Sequence, residues 1–129
     1  MKNQYAEDNL IIKLTSDFAL SVIDFVEQLQ SEKKFVVANQ LLKSGTSIGA
    51  NTREAQNSES KLDFIHKFKI AAKEADETQY WLELCKHSKH YPDSEQLIIQ
   101  LESISRVLNK IISTSKRKNP LLFLISYFL

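Results

Sequence analysis

Residues 60–92 read SKLDFIHKFKIAAKEADETQYWLELCKHSKHYP, and this stretch has the pattern of one long helix. Ser60 is a suitable N-cap, with Asp63 three residues later in a variant of the capping box. Apolar and small residues then recur at the steps of three and four that define one helix face. Pro92 ends the pattern because proline cannot continue the hydrogen-bond ladder. The stretch therefore predicts a helix that runs to about Tyr91. Its predicted buried face comprises Phe64, Phe68, Ala71, Ala72, Ala75, Gln79 and Leu82.

Three further segments of the chain have the same helical spacing. They cover about residues 9–30, about residues 35–58, and a last segment that reaches the basic residues 116–118, where either Asp93 or Ser94 can serve as the N-cap. Only two glycines and two prolines occur in 129 residues, so long helices with short connections are expected. Such helices pack as antiparallel neighbours. The sequence predicts an all-α, up-and-down antiparallel four-helix bundle.

Both glycines, Gly45 and Gly49, fall within the second predicted helix. A glycine in a helix interior costs about 1 kcal/mol relative to alanine. Their presence therefore suggests that a neighbouring helix approaches closely at these positions. The alternative is a break near Gly45, because glycine often interrupts regular structure.

Charge, cysteine content and the two termini limit the possible classes of protein. The 17 Lys and Arg residues nearly balance the 16 Asp and Glu residues, so any basic surface must be local. Cys85 is the only cysteine, which excludes an intrachain disulfide. Residues 1–9 do not resemble a secretory signal, so we expect a cytoplasmic protein.

The division into domains follows from the C-terminal composition. We expect the bundle domain to cover residues 1–118 and an apolar tail to cover residues 119–129. The apolar residues 121–129 are too few to cross a bilayer, which takes about 20 residues. We expect the tail to dock on its own bundle or on a neighbouring subunit, and no membrane partner. An interfacial membrane contact is the alternative.

The third helix has a second apolar side. At about 100° per residue, Ile70, Trp81 and Leu84 lie roughly opposite Phe68, with Tyr80 at their edge. One core cannot bury both sides, so we expect these residues to form an interface between copies of the chain. The alternative is that the fourth helix or the tail covers them. A weaker set of the same kind on the first helix comprises Ile12, Leu20 and Ile23.

Motifs for catalysis or for metal binding are weak in this sequence. His87 and His90 lie close to Cys85, but no second pair supplies the remaining ligands of a zinc site. Glu54 and Glu74 on neighbouring helices are the remaining candidates for an acid–base pair. Such carboxylates more often pair with lysine. We expect no catalytic residue, no cofactor and no bound metal.

Basic side chains are concentrated near the start of the third helix. Residues 61–73 contain four lysines against one acid, Asp63. This pattern is typical of a solvated helix face or of a patch that contacts phosphates. In a ring, several copies of a weak patch act together through effective concentration. The candidate nucleic-acid-binding residues are Lys43, Arg53, Lys61, Lys67, Lys69 and Lys73.

The stretch QLLKSGTSIGAN at 40–51, together with Arg53-Glu54-Ala55 and the segments 63–67 and 72–82, resembles a bacterial four-helix bundle family that includes proteins encoded in 23S rRNA intervening sequences. The similarity covers about residues 10–116, and Ser-Ile-Gly-Ala-Asn followed by Glu-Ala is its most specific part. The resemblance implies a homopentameric ring of up-and-down bundles.

The resemblance also implies partners. A related accessory protein of diversity-generating retroelements binds nucleic acid and a reverse transcriptase through its basic exterior, which implies RNA or a nucleic-acid-processing protein as a partner here. Lys43 stands where the family often has arginine, and Thr52 where an apolar residue is common. The leading hypothesis is a non-enzymatic, ring-forming bundle that binds RNA or a ribonucleoprotein. The alternative is a protein–protein adaptor that uses exposed apolar surface without nucleic acid.

Overall fold

The computed structural model describes residues 9–117, and this range consists of four α-helices with no strand. The helices are α1 (Leu10–Ser31), α2 (Phe35–Ala55), α3 (Lys61–His87) and α4 (Glu95–Arg117). Each helix packs against the next, and α4 also packs against α1. The predicted all-α four-helix bundle is confirmed. The predicted tail at 119–129 lies outside the described residues, so the proposed domain division stays a prediction.

Contacts between helices show that neighbouring helices run in opposite directions. From Ser44 to Glu54 along α2, the partners on α3 run backwards from Thr78 to Lys67. The Ser44 and Thr78 hydroxyls form a buried hydrogen bond of 3.0 Å, and the Glu54–Lys67 ion pair is also 3.0 Å long. The bundle is therefore up-and-down, as short connections require.

The core forms where the four apolar stripes meet. The prediction that Ile12 belongs to an exposed second side of α1 is wrong, because this residue is only 9% exposed. It lies one turn before Thr15, whose hydroxyl is 3.3 Å from that of Thr52 on α2. The arc of α1 that faces α2 is thus wider than one stripe. The core includes Phe18, Val22, Leu41, Ile48, Phe68, Leu82, Leu101, Ile104 and Leu108.

The glycines of α2 lie against α1, and the helix continues through both of them. A Cβ atom at Gly45 would be 3.0 Å from both γ-carbons of Val22. One at Gly49 would be 3.3 Å from the Thr15 hydroxyl oxygen. The predicted close approach of two helices is confirmed, and the alternative of a break near Gly45 is wrong.

Helix α3 begins as predicted but ends four residues early, at His87 rather than at Tyr91. At its start, the Ser60 hydroxyl accepts the Asp63 amide at 3.0 Å. At its end, Ser88 adopts an extended backbone (φ −89°, ψ 136°), and its hydroxyl donates to the Leu84 carbonyl at 2.7 Å. Serine side chains compete with the helix ladder in this way, and the residue before a proline also avoids helical geometry.

The start of α4 uses both predicted cap residues. The Asp93 carboxylate accepts the Glu95 amide at 3.1 Å. Ser94 immediately precedes the helix, but its buried hydroxyl donates to the Leu82 carbonyl at 2.8 Å. Asp93 therefore provides a hydrogen-bond acceptor for a free N–H group at the start of α4, while Ser94 connects this helix start to α3.

Candidate nucleic-acid and oligomer interfaces

Most of the predicted basic residues lie at one end of the bundle, which we call the basic end. Its predicted members are Arg53, Lys61, Lys67, Lys69 and Lys73, from the last turn of α2 and the first half of α3. The contact between Glu54 and Lys67 holds these two segments side by side. Lys73 is the member farthest from this end, twelve residues or about 18 Å along α3 from Lys61. Lys43 lies at a similar level on α2, ten residues or about 15 Å before Arg53.

Lys67 is held in an ion pair. Its amine donates to the Glu54 carboxylate at 3.0 Å. That hydrogen bond and the charge attraction of Glu54 raise the pKa of Lys67, with a smaller contribution from Asp63, while desolvation opposes them. A phosphate ligand must therefore compete with Glu54 for this lysine.

Glu74 lies between two of the other predicted lysines. Burial raises the pKa of this carboxyl group above its ordinary value, and repulsion from Glu77 adds to the effect. Lys43 and Lys73 oppose the rise through attraction, so both are close to Glu74. Because Glu54 contacts α3 at Lys67, seven residues before Glu74, about 10 Å of helix separates the two carboxylates. This separation argues against the candidate acid–base pair of Glu54 and Glu74.

The structure adds Lys116 to the basic end. Because α4 runs back along α3, its last turn brings Lys116 beside Lys69. A side-chain contact with the Lys69 amine and repulsion from its charge lower the pKa of Lys116, and desolvation lowers it further. The sequence contains a signal for this contact. Two antiparallel helices joined near Pro92 bring residues at equal distances from the connection to the same level, and Lys69 and Lys116 lie at nearly equal distances from it. The helical spacing by itself assigns Lys116 only to the end of its helix.

The four residues Ile70, Tyr80, Trp81 and Leu84, which we call the α3 apolar face, are only partly exposed. Tyr80 is 58% exposed and Leu84 40%, whereas Ile70 and Trp81 are half-buried. The Trp81 ring meets Tyr80 edge-on, with 5.2 Å between centroids, and its indole N–H donates to Glu77 at 3.2 Å. Trp81 also packs on the core of its own chain. Tyr80 and Leu84 therefore provide the accessible part of this face.

A second apolar patch lies on α1. Leu20 is 63% exposed and Ile23 is 38% exposed. We call these two residues the α1 apolar patch. The exposure predicted for both is confirmed, in contrast to that of Ile12.

The candidate metal-binding residues do not form a site within the described range. No group of three or more His, Cys, Asp or Glu residues there is placed to hold a metal ion. Cys85 is buried, and burial raises the pKa of its thiol to about 11. A buried, protonated thiol is a poor ligand and a poor nucleophile.

None of the four helices between residues 9 and 117 is long and apolar enough to cross a membrane.

An open groove of about 310 Å³ lies between the surfaces of α1 and α4. One of its carboxylates, Asp93, already accepts the amide at the start of α4. The Ser21 hydroxyl donates to the Asp17 carbonyl at 3.3 Å, so this polar group also has a partner on its own helix. The groove is lined by Ser21, Asp24, Phe25, Gln28, Asp93, Gln96, Leu97 and Gln100.

These features define an all-α four-helix bundle protein whose candidate binding residues lie on its exposed surfaces. The sequence pattern of the family described as 23S rRNA-intervening sequence protein matches residues 7–110, and the chain belongs to this family. The chain is similar to a protein of unknown function from the S23 ribosomal protein family of Bacteroides thetaiotaomicron, whose crystal structure is known. The two sequences are 40% identical. The match covers 80% of this chain and 98% of that one, with a TM-score of 0.76. No curated protein matches the chain significantly.

Proposed function

We propose that this chain is a cytoplasmic, non-enzymatic bundle that assembles into a pentameric ring and binds RNA or a ribonucleoprotein through its basic end. The observation that carries the proposal is the concentration of cationic side chains at one end of a chain whose net charge is only +1.

The charge distribution supports phosphate contact at the basic end. Arg53, Lys69 and Lys73 are exposed there, and Lys116 adds a further charge from α4. Lysine and arginine contacts to phosphates release counterions, which supplies much of the affinity of proteins for nucleic acid. A ring repeats the patch on every subunit, so individually weak contacts gain from effective concentration.

A salt titration of RNA affinity tests the proposal. Fluorescence anisotropy with a labelled RNA hairpin should show affinity that falls steeply as salt rises. The variants Arg53→Gln and Lys73→Gln should each reduce the slope of log affinity against log salt, by up to about 0.9 for each phosphate that is no longer neutralised. Lys89→Gln is the matched control, because it removes the same charge from the turn after α3, at the opposite end of the bundle.

Undetectable or salt-insensitive RNA binding would sink the proposal and favour a protein–protein adaptor. The exposed Tyr80 and Leu84 are the observation behind that second candidate. An adaptor should retain a partner protein after nuclease treatment and at high salt. The double variant Tyr80→Lys and Leu84→Lys should then release the partner, whereas Ile99→Lys on the exposed side of α4 should not.

A further inference from the structure

The seam between α1 and α4 changes from polar to apolar along the bundle. The open groove in this seam has Ser21 of α1 and Gln100 of α4 on its walls. A step of seven residues returns to nearly the same side of a helix, because two turns take about 7.2 residues. Leu14 lies seven residues before Ser21, and Val107 lies seven residues after Gln100, so both continue the seam towards the end of α4. Steps of eleven residues, or about three turns, add one further apolar residue on each helix. We call this set the seam strip: Leu10, Leu14, Val107 and Ile111.

The seam strip is only partly covered by the rest of residues 9–117. Leu10 is 57% exposed, and the other three residues are half-buried. Those three also pack against the core, so the strip continues the hydrophobic interior to the surface of the bundle. An exposed apolar surface of this kind is typical of a site that another apolar segment covers.

The seam strip is separate from the other apolar surfaces of the chain. Ile23 follows Ser21 by two residues, or about 200° around α1, so the α1 apolar patch lies on the other flank of this helix. The α3 apolar face belongs to a different helix. Contacts through either of those surfaces therefore leave the strip open.

Residues 121–129 begin close to the seam strip along the chain. The described part of α4 ends at Arg117, and residues 118–120 can bridge at most about 10 Å before this segment starts. Val107 lies ten residues before Arg117, or about 15 Å along α4. Nine residues span about 30 Å when extended and about 14 Å as a helix, so either conformation can return along the strip. The segment has no charged residue, and Ser126 is its only residue outside the hydrophobic class.

We propose that residues 121–129 dock on the seam strip of their own chain and cover the seam between α1 and α4. Removal of apolar side chains from water on both sides of the contact provides the driving force. The inference does not depend on RNA binding. A neighbouring subunit and a membrane surface are the other occupants that an apolar segment could find, and the tests distinguish them.

A spin label attached to the full chain tests where residues 121–129 lie. The label is placed on Ser126→Cys, which leaves the apolar residues of the segment unchanged. The native Cys85 is buried and its thiol pKa is raised to about 11, so it reacts slowly with the labelling reagent. Paramagnetic broadening of methyl NMR signals should be strong at the seam strip. It should be weak at Leu84, near the far end of α3.

Two mixed samples distinguish docking within one chain from docking on a neighbour. In the first, isotope-labelled chains that carry the spin label are diluted into natural-abundance chains without it, and the strip signals should stay broadened. In the second, only the natural-abundance chains carry the spin label, and the strip signals of the isotope-labelled chains should stay sharp. Broadening in the second sample alone overturns the inference and places the segment on a neighbouring subunit. No broadening of the strip in either sample also overturns it.

Hydrogen exchange of the full chain provides a second test. The amides of residues 121–129 should exchange at least about tenfold faster in the double variant Leu10→Lys and Ile111→Lys than in the wild type. Leu62→Lys is the matched control, because it places the same charge on an 80% exposed leucine in the first turn of α3. Equal exchange in the wild type and the double variant overturns the inference. Protection that appears only after phosphatidylcholine vesicles are added overturns it in favour of a membrane surface. Circular dichroism verifies that each variant is folded.

Discussion

Gly45 lies where α2 closely approaches α1, and the space for it is limited by one β-branched side chain. Both γ-carbons of the buried Val22 are 3.0 Å from the position that a Cβ atom would take. Rotation of valine about χ1 is restricted in a helix, so Val22 has little freedom to move its methyl groups away. Glycine lowers the helix propensity of α2 at this position, but the absence of a Cβ atom permits close packing against α1.

Gly45→Ala should destabilise the protein although alanine is the better helix former. The gain in helix propensity is about 1 kcal/mol. Overpacking of a tight core costs about 1–3 kcal/mol. We expect a net loss of about 1 kcal/mol in the free energy of unfolding, measured by urea denaturation.

The matched control for this substitution is Gly49→Ala, where the nearest atom is 3.3 Å away on Thr15. We expect a smaller effect there, close to zero, because the gain in propensity offsets a milder contact. The double variant Val22→Ala and Gly45→Ala should lose less stability than the sum of the two single variants, since the deletion removes the clash. A Gly45→Ala protein as stable as the wild type would show that α1 and α2 separate at no cost.

At the scale of elements, the connection between α2 and α3 contains two serine hydroxyls with opposite effects on stability. Ser60 accepts the Asp63 amide and so satisfies one of the free N–H groups at the start of α3. The Ser58 hydroxyl, two residues earlier, is buried and has no hydrogen-bond partner within residues 9–117. A cap stabilises its helix, whereas a buried polar group without a partner costs free energy.

The substitutions Ser60→Ala and Ser58→Ala should therefore have different effects on stability. Loss of the Ser60 cap should lower the free energy of unfolding by about 1 kcal/mol. Removal of the Ser58 hydroxyl should leave stability unchanged or raise it, because no hydrogen bond is lost. Chemical denaturation of both variants measures the difference. Equal losses would mean that Ser58 makes a hydrogen bond of comparable worth.

The sequence predicts those features of this bundle that depend on local patterns. The helical spacing, the Ser60 cap and the continuous helix through Gly45 are of this kind. The burial of Ile12 and the contact between Lys69 and Lys116 depend instead on which sides of two helices meet. Amphipathic spacing shows that a helix has an apolar side, but it does not show how wide an arc its neighbours cover. The early end of α3 reflects a side-chain hydrogen bond that competes with the helix ladder.

At the scale of the whole molecule, the proposed pentamer imposes a condition on the surface of the chain. Two-fold interfaces use the same patch on both subunits, but a ring with five subunits must join two different patches head to tail. The exposed apolar residues of the chain include two separate sets on different helices, the α3 apolar face and the α1 apolar patch. We infer that these are the two halves of the ring contact.

Variants that disable one surface at a time test this arrangement. Tyr80→Lys with Leu84→Lys should abolish the ring through α3, and Leu20→Lys with Ile23→Lys should abolish it through α1. Each double variant alone should sediment as a monomer, because no complementary pair of surfaces remains. An equimolar mixture should form a dimer of one chain of each kind, since one intact α3 apolar face can still meet one intact α1 apolar patch.

The mixture distinguishes a head-to-tail ring from a symmetric dimer. If the α3 apolar face pairs only with itself, the α1 variant keeps the size of the wild type and the mixture contains no mixed dimer. Ile99→Lys on α4 controls for the added charge on an exposed apolar position and should leave the ring intact. Analytical ultracentrifugation measures the oligomeric size of each variant and of the mixture. A ring that survives both double variants would place its contacts elsewhere on the bundle and leave Tyr80 and Leu84 free for another partner.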